Sequence, residues 1–405
     1  MVTTEQTTAV PVAEPEAAAR RLPMSPLLAL ATAVFITSLT ETLPAGLLPA
    51  MSAGLGVGAS AAGQTVTVYA LGTALTAAPL TAATAGWRRK RLLLTTVAGF
   101  AVANGVTAVS SDYTLTMVAR FAAGIAAGLA WALLAGYARR LAPAGLEGRA
   151  IAVAMAGIPV ALSLGVPAGT FLGSALGWRT AFWTMSALTV VLVGWIAASV
   201  PDAPGRRRGS GEPRPRVLRV AGVAPVLFVT LVYVLAHTVL YAYVATFLDR
   251  LGMGGSTDRV LLVFGGASLL SIAVVGARIH RHLRLLSIAS VLLVAVAAAV
   301  LALLSGSAVL VYVAAALWGL GWGGAPTLLQ TAAGTAGGRA GDGAADAAQA
   351  LLVTLWNVAM AGGGVAGGVL LDRFGASALP WTALLLLAPV LAVVVIARRD
   401  AFPTR

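Results

Sequence analysis

Apolar runs of about twenty residues, each nearly free of charge, follow one another from Pro26 to Ile396. Hydrocarbon about 30 Å thick is crossed by about 20 residues of helix rising 1.5 Å each. Lipid offers the backbone no hydrogen-bond partners, so each run must close its own bonds as a helix. The chain is therefore expected to be an all-α integral membrane protein. Composition agrees, at 59% hydrophobic and 10% charged, where a soluble domain needs about 25% charged residues. Turn and charge punctuation predicts twelve helices, over 26–50, 61–83, 92–110, 114–137, 150–173, 180–200, 220–247, 259–278, 285–304, 308–329, 347–371 and 378–396. The expected organisation is a disordered tail (1–24), a six-helix bundle (25–200), a basic linker (201–219), a second six-helix bundle (220–397) and a short tail (398–405).

Charge placement orients this array. The formal net charge is +13 and the isoelectric point about 11.3, values that could suggest nucleic acid as a partner. The basic residues instead fall in short clusters between apolar runs, on alternate sides. Of the 27 lysines and arginines, 22 fall on one side, four on the other, and Arg120 lies inside helix 4. That is the positive-inside pattern, which places both termini in the cytoplasm and argues against nucleic-acid binding. The N-terminal stretch carries Glu5, Glu14 and Glu16 before any apolar core and so does not read as a signal peptide. No cysteine occurs, and His237, His280 and His282 form no ligand constellation, so no metal site is expected. Gly169, Gly177 and Trp183 recur 198 residues later as Gly367, Gly375 and Trp381, consistent with two pseudo-symmetric six-helix halves enclosing a midplane site.

Three strongly ionisable residues fall within the predicted helices: Glu41, Arg120 and His237. A charge at the bilayer centre costs about 2.5–3.5 kcal/mol on insertion scales, so each marks a candidate site. Glu41 precedes Pro44 and Pro49, which weaken the local helix ladder; it can serve as a proton carrier or as a carboxylate paired for structure. Arg120 lies near the outer end of helix 4, where a shallow, snorkelling arginine is one reading. His237 shares a helix face with Tyr233 and Tyr241, four residues to either side; the face either lines a cavity or packs as core. Trp131, Gln330, Trp356 and Asn357 are further cavity candidates, with interhelical bonding and packing as their plainer roles. The glycines of helices 5 and 11 let helices cross closely and slide. No enzymatic signature is present: the run 362–368 is glycine-rich but lacks the strand-turn-helix context and Lys-Ser/Thr of a phosphate cradle.

Three segments carry a family likeness: Thr40-Glu41-Thr42-Leu43-Pro44-Ala45-Gly46-Leu47-Leu48-Pro49; Arg120-Phe121-Ala122-Ala123-Gly124 with Gly128; and Gly157 through Gly165-Val166-Pro167-Ala168-Gly169, Gly173 and Gly177-Trp178-Arg179. From about Met24 onward the chain resembles the major facilitator superfamily, in particular its twelve-helix drug/proton antiporter branch. The resemblance implies a role for Arg120 in proton coupling beside Glu41. It makes Gly157, Gly165, Pro167, Gly169 and Gly173 an exporter-type helix 5 motif, and it assigns Arg88, Arg89 and Lys90 to a cytoplasmic gate loop. Departures are visible: that loop lacks the family's Asp, Val166 separates Gly165 from Pro167, and Ala123 stands where relatives often have Gln.

The expected function is proton-coupled efflux of a small, partly apolar molecule by alternating access in the cytoplasmic membrane. The protein should act as a monomer in the lipid bilayer, with the proton gradient in place of any cofactor. A sugar, nucleoside or metabolite permease, or a uniporter, is the alternative within transport. A non-transporting membrane interaction or sensory protein is the alternative outside it.

Overall fold

The computed structural model describes residues 22–84, 86–143, 146–204, 217–340 and 342–402. Most of the expected linker (205–216), most of the expected N-terminal tail (1–21) and residues 403–405 lie outside the described residues. The helices are α1 (Met24–Leu55), α2 (Ala59–Ala83), α3 (Arg89–Val109), α4 (Tyr113–Leu141), α5 (Arg149–Leu176) and α6 (Trp178–Ser199). They continue as α7 (Val223–Tyr241), α8 (Gly254–Ile279), α9 (Arg281–Leu303), α10 (Ala308–Gly338), α11 (Ala347–Phe374) and α12 (Ala378–Ile396). Eleven are long and apolar enough to cross a membrane; α2, with 25 residues, completes the twelve. The described residues form no strand.

Several predicted boundaries move for identifiable reasons. The basic loop expected between helices 8 and 9 shrinks to a kink: helix runs from Thr257 to Leu303, with His282 alone leaving helical geometry. Helix 7 stops at Tyr241 and resumes as the short helix Val244–Arg250. Helix 5 contains a π-helical turn at Ala161–Gly165, directly before Pro167, whose missing N–H leaves the Ser163 carbonyl without its helical partner. Helix 10 continues past its predicted end to Gly338, and its last turns pack against the helical residues that lead into α11, with the backbone of Gly337 on that of Ala344 and Ala345.

In lipid, helix association gains little from burying apolar surface and depends on close packing of small residues. The structure uses that device throughout. A Cβ at Gly124 of α4 would collide with the Tyr69 carbonyl of α2, and Thr73 donates its hydroxyl to the Gly124 carbonyl at 3.0 Å. The glycines of α5 line up along α1: Gly157 meets the Ala31 carbonyl, Gly165 the Phe35 ring, Gly169 Leu43 and Gly173 Leu47. Gly177 and Gly375, the repeat partners of the sequence, occupy the α5–α6 and α11–α12 turns with φ of 91° and 77°, a left-handed backbone that favours glycine. The first six helices meet the last six along two seams, α2 on α11 and α5 on α8. Gly265 of α8 rests on the Ser163 backbone of α5 at the second seam.

Gly124→Val is expected to destabilise the protein by about 1–3 kcal/mol, because the Tyr69 carbonyl is backbone and cannot rotate away. Gly194→Ala, at an exposed site where an added Cβ meets nothing within 4 Å, should cost nothing. Thermal unfolding of the two detergent-purified variants, side by side, checks the contrast.

Candidate functional site

A cavity of about 960 Å³ lies between the halves, lined by α1, α2, α4 and α5 on one side and α7, α8, α10 and α11 on the other. It reaches the face that carries Arg89, Arg139 and Arg140. At the opposite face the α2–α11 seam is shut. There Gln64 donates to the Tyr243 hydroxyl (3.2 Å) and the Gly364 carbonyl (3.3 Å), and Tyr243 donates to the same carbonyl at 2.8 Å. Gly63 on α2 and Gly367 and Gly368 on α11 leave room for the Tyr243 ring between the helices. The cavity is thus open to one side only.

Glu41 sits near the middle of the 32-residue α1 and is the one carboxylate among the described lining residues. Arg120 departs from the shallow, snorkelling reading. It has no solvent exposure, and its guanidinium turns inward, donating from Nη2 to the Thr40 carbonyl (2.7 Å) and from Nε to the Thr65 carbonyl (3.3 Å). The reason lies in α1: Pro44 has no N–H, so the Thr40 carbonyl loses its partner four residues on and is free to accept from another helix. Arg120 therefore bonds the residue next to Glu41. The Tyr69 ring lies 4.8 Å from the guanidinium carbon, a cation–π contact. Among the described residues, Arg120 Nη1 and Asn104 Oδ1 are buried polar atoms that find no hydrogen-bond partner. Asn104 itself donates to the Thr40 hydroxyl at 3.2 Å.

His237, Tyr241, Trp131, Gln330, Trp356 and Asn357 line the cavity. Tyr233 does not. Although one helical turn from His237, it is buried with its hydroxyl 2.9 Å from Ser290 Oγ and 3.5 Å from the Gly321 carbonyl. His237 is held by rings that sequence reasoning missed. Trp322 stacks on it at 3.6 Å and Trp318 donates its indole N–H to His237 Nδ1 at 3.0 Å. Their four-residue spacing on one helix face was the available signal.

Gly157, Gly165, Gly169 and Gly173 lie at the α1 interface and Pro167 is buried at the start of the last segment of α5, so the helix 5 motif packs helices. Of the three expected gate-loop residues, only Arg88 lies in the α2–α3 loop, while Arg89 and Lys90 open α3. Arg88 pairs with Asp202, the Lys90 backbone N–H donates to the Asp202 carboxylate at 3.2 Å, and Lys90 Nζ donates to the Ala197 carbonyl at 2.7 Å. The carboxylate absent from the loop itself is thus supplied from just beyond α6.

The family model described as Major Facilitator Superfamily matches residues 30–345. The chain belongs to the major facilitator superfamily. It is 30% identical over 380 residues to the transcription regulatory protein OpdE of Pseudomonas aeruginosa, covering 91% of this chain and 93% of that protein. Among solved structures it resembles a bacterial homologue of the human lysosomal transporter Spinster, captured inward-facing and unoccupied. There the TM-score is 0.68 at 14% identity, with 94% of this chain and 96% of that one covered. It also resembles the human organic anion transporter MFSD10 (TETRAN), with a TM-score of 0.69 at 18% identity over 93% and 99% of the two chains. The protein is a multi-pass membrane transporter with the twelve-helix fold of that superfamily.

Proposed function

We propose that this transporter exports a small, partly apolar molecule in exchange for protons across the cytoplasmic membrane, acting as a monomer with both termini inside. The carrying observation is a mainly apolar cavity whose described lining holds one carboxylate, beside a buried arginine with an Nη1 that has no hydrogen-bond partner among the described residues. Glu41 takes up a proton from outside as substrate leaves, and loses it inside when the cavity turns to the basic face. One proton charge moving through 100 mV supplies about 2.3 kcal/mol, roughly a fifty-fold concentration ratio for a neutral substrate. No cofactor enters the cycle. The drug/proton antiporter reading rests on the motif resemblance together with this cavity.

A second reading follows from the relative named a transcription regulatory protein: transport of an effector molecule, or its detection, that alters gene expression. Proteoliposomes screened with dyes, antibiotics, sugars and nucleosides test both. Substrate-induced proton release is the expected result. Flux without proton movement would favour a uniporter, and binding without any flux would favour the sensory reading.

A further inference from the structure

His237 is enclosed on three sides. Trp322 covers one ring face at 3.6 Å and 3° between planes, and Tyr241 stacks at 5.0 Å and 22°. Trp318 occupies one edge through the hydrogen bond to Nδ1. An indole N–H can only donate, so Nδ1 must present its lone pair and the ring hydrogen must sit on Nε2. The side chain is 8% exposed, it lines the cavity, and no protein partner to Nε2 is found among the described residues. The free edge therefore offers the cavity a fixed hydrogen-bond donor with no competing acceptor. Beside it, Trp356 lies 5.5 Å from Trp322 at a 39° tilt and is half-buried on the cavity wall, leaving ring surface for a ligand. Phe264 extends the same wall, 6.3 Å from His237.

We propose that this wall recognises a flat aromatic molecule bearing one hydrogen-bond acceptor, with its ring against Trp356 and its acceptor on His237 Nε2–H. A flat aromatic ring meets Trp356 over its whole face, so aromatic ligands are preferred over sugars. The inference rests on the reading of the cavity as the site of the transported molecule. Trp318 acts as a positioning residue: its indole keeps the donor on the cavity edge of the imidazole.

The test is binding to the purified full-length protein, followed by quenching of tryptophan emission and by calorimetry. 4-Quinolone is flat with a carbonyl acceptor, naphthalene is flat without one, and glucose has acceptors but no aromatic ring. Wild type should bind 4-quinolone about tenfold more tightly than naphthalene, the worth of one neutral hydrogen bond, and glucose not at all. His237→Phe keeps a ring but loses the donor, so it should erase that preference while leaving naphthalene affinity unchanged, which also reports that the variant is folded. Trp318→Phe, which leaves His237 in place, should reduce the preference in the same direction. Equal affinity of wild type for 4-quinolone and naphthalene, or no binding of either at millimolar concentration, would overturn the proposal. So would a preference that survives both substitutions. The assay needs no proton gradient. Intact 4-quinolone preference with no proton movement in proteoliposomes would therefore overturn proton coupling and support this site; proton-coupled flux of a non-aromatic substrate without 4-quinolone binding would do the reverse.

Discussion

Glu41→Gln is expected to abolish proton release on substrate addition and to collapse concentrative export, from roughly fifty-fold per 100 mV to no gradient at all. Gln keeps the size and hydrogen-bonding reach of the carboxyl but carries no exchangeable charge. Downhill exchange of substrate should continue, because the cavity and both seams are untouched. The expectation depends on the local construction of α1. Pro44 frees the Thr40 carbonyl, that carbonyl holds Arg120 Nη2 at 2.7 Å, and the arginine is thereby anchored beside Glu41, the one carboxylate among the described lining residues. Parallel measurement of external pH and internal substrate in proteoliposomes distinguishes the outcomes. Wild-type proton release from the variant would remove Glu41 from the coupling step and leave it a structural role.

Gly63→Leu should prevent closure of the face opposite the arginines. Any side chain at Gly63 projects into the Tyr243 ring, and that ring is fixed between α2 and α11 by the bonds to Gln64 and Gly364. Overpacking of this kind costs about 1–3 kcal/mol, equivalent to roughly five- to 160-fold in the population of the closed state. The protein has no cysteine, so a single Thr42→Cys in the cavity wall gives a clean reporter. A membrane-impermeant maleimide applied from the closed face should label it at least fivefold faster in the Gly63→Leu background. Tyr243→Phe, which loses only the hydroxyl bonds, should show a smaller increase. Unchanged labelling in both would mean that the barrier lies elsewhere along the seam.

Much of the architecture is legible in the sequence. Twelve helices follow from the thickness of hydrocarbon and the need for every backbone group to bond within its own segment. That requirement acts locally, residue by residue, and so it is written in the order of apolar runs and basic breaks. The same holds for the candidate status of Glu41: an acid in an apolar helix is rare because it is costly, and the cost is visible in one dimension. Gly177 and Gly375 were legible too, as repeated glycines that turned out to occupy equivalent left-handed turns.

Other features depend on which helices meet. The position of Arg120 along α4 suggested a shallow side chain, yet the direction it takes is decided by a carbonyl on α1 that Pro44 leaves unbonded. Tyr233 and His237 share a helix face, but Gly321 and Ser290 on other helices capture the tyrosine while the cavity keeps the histidine. Asp202, 114 residues from Arg88, supplies the charge missing from the α2–α3 loop. The sequence by itself determined how many times the chain crosses the membrane and which costly residues it carries into the bilayer. Only the tertiary structure decided which of those residues face the cavity, because hydrogen-bond partners and ring contacts between helices are set by packing in three dimensions and leave no periodicity along the chain.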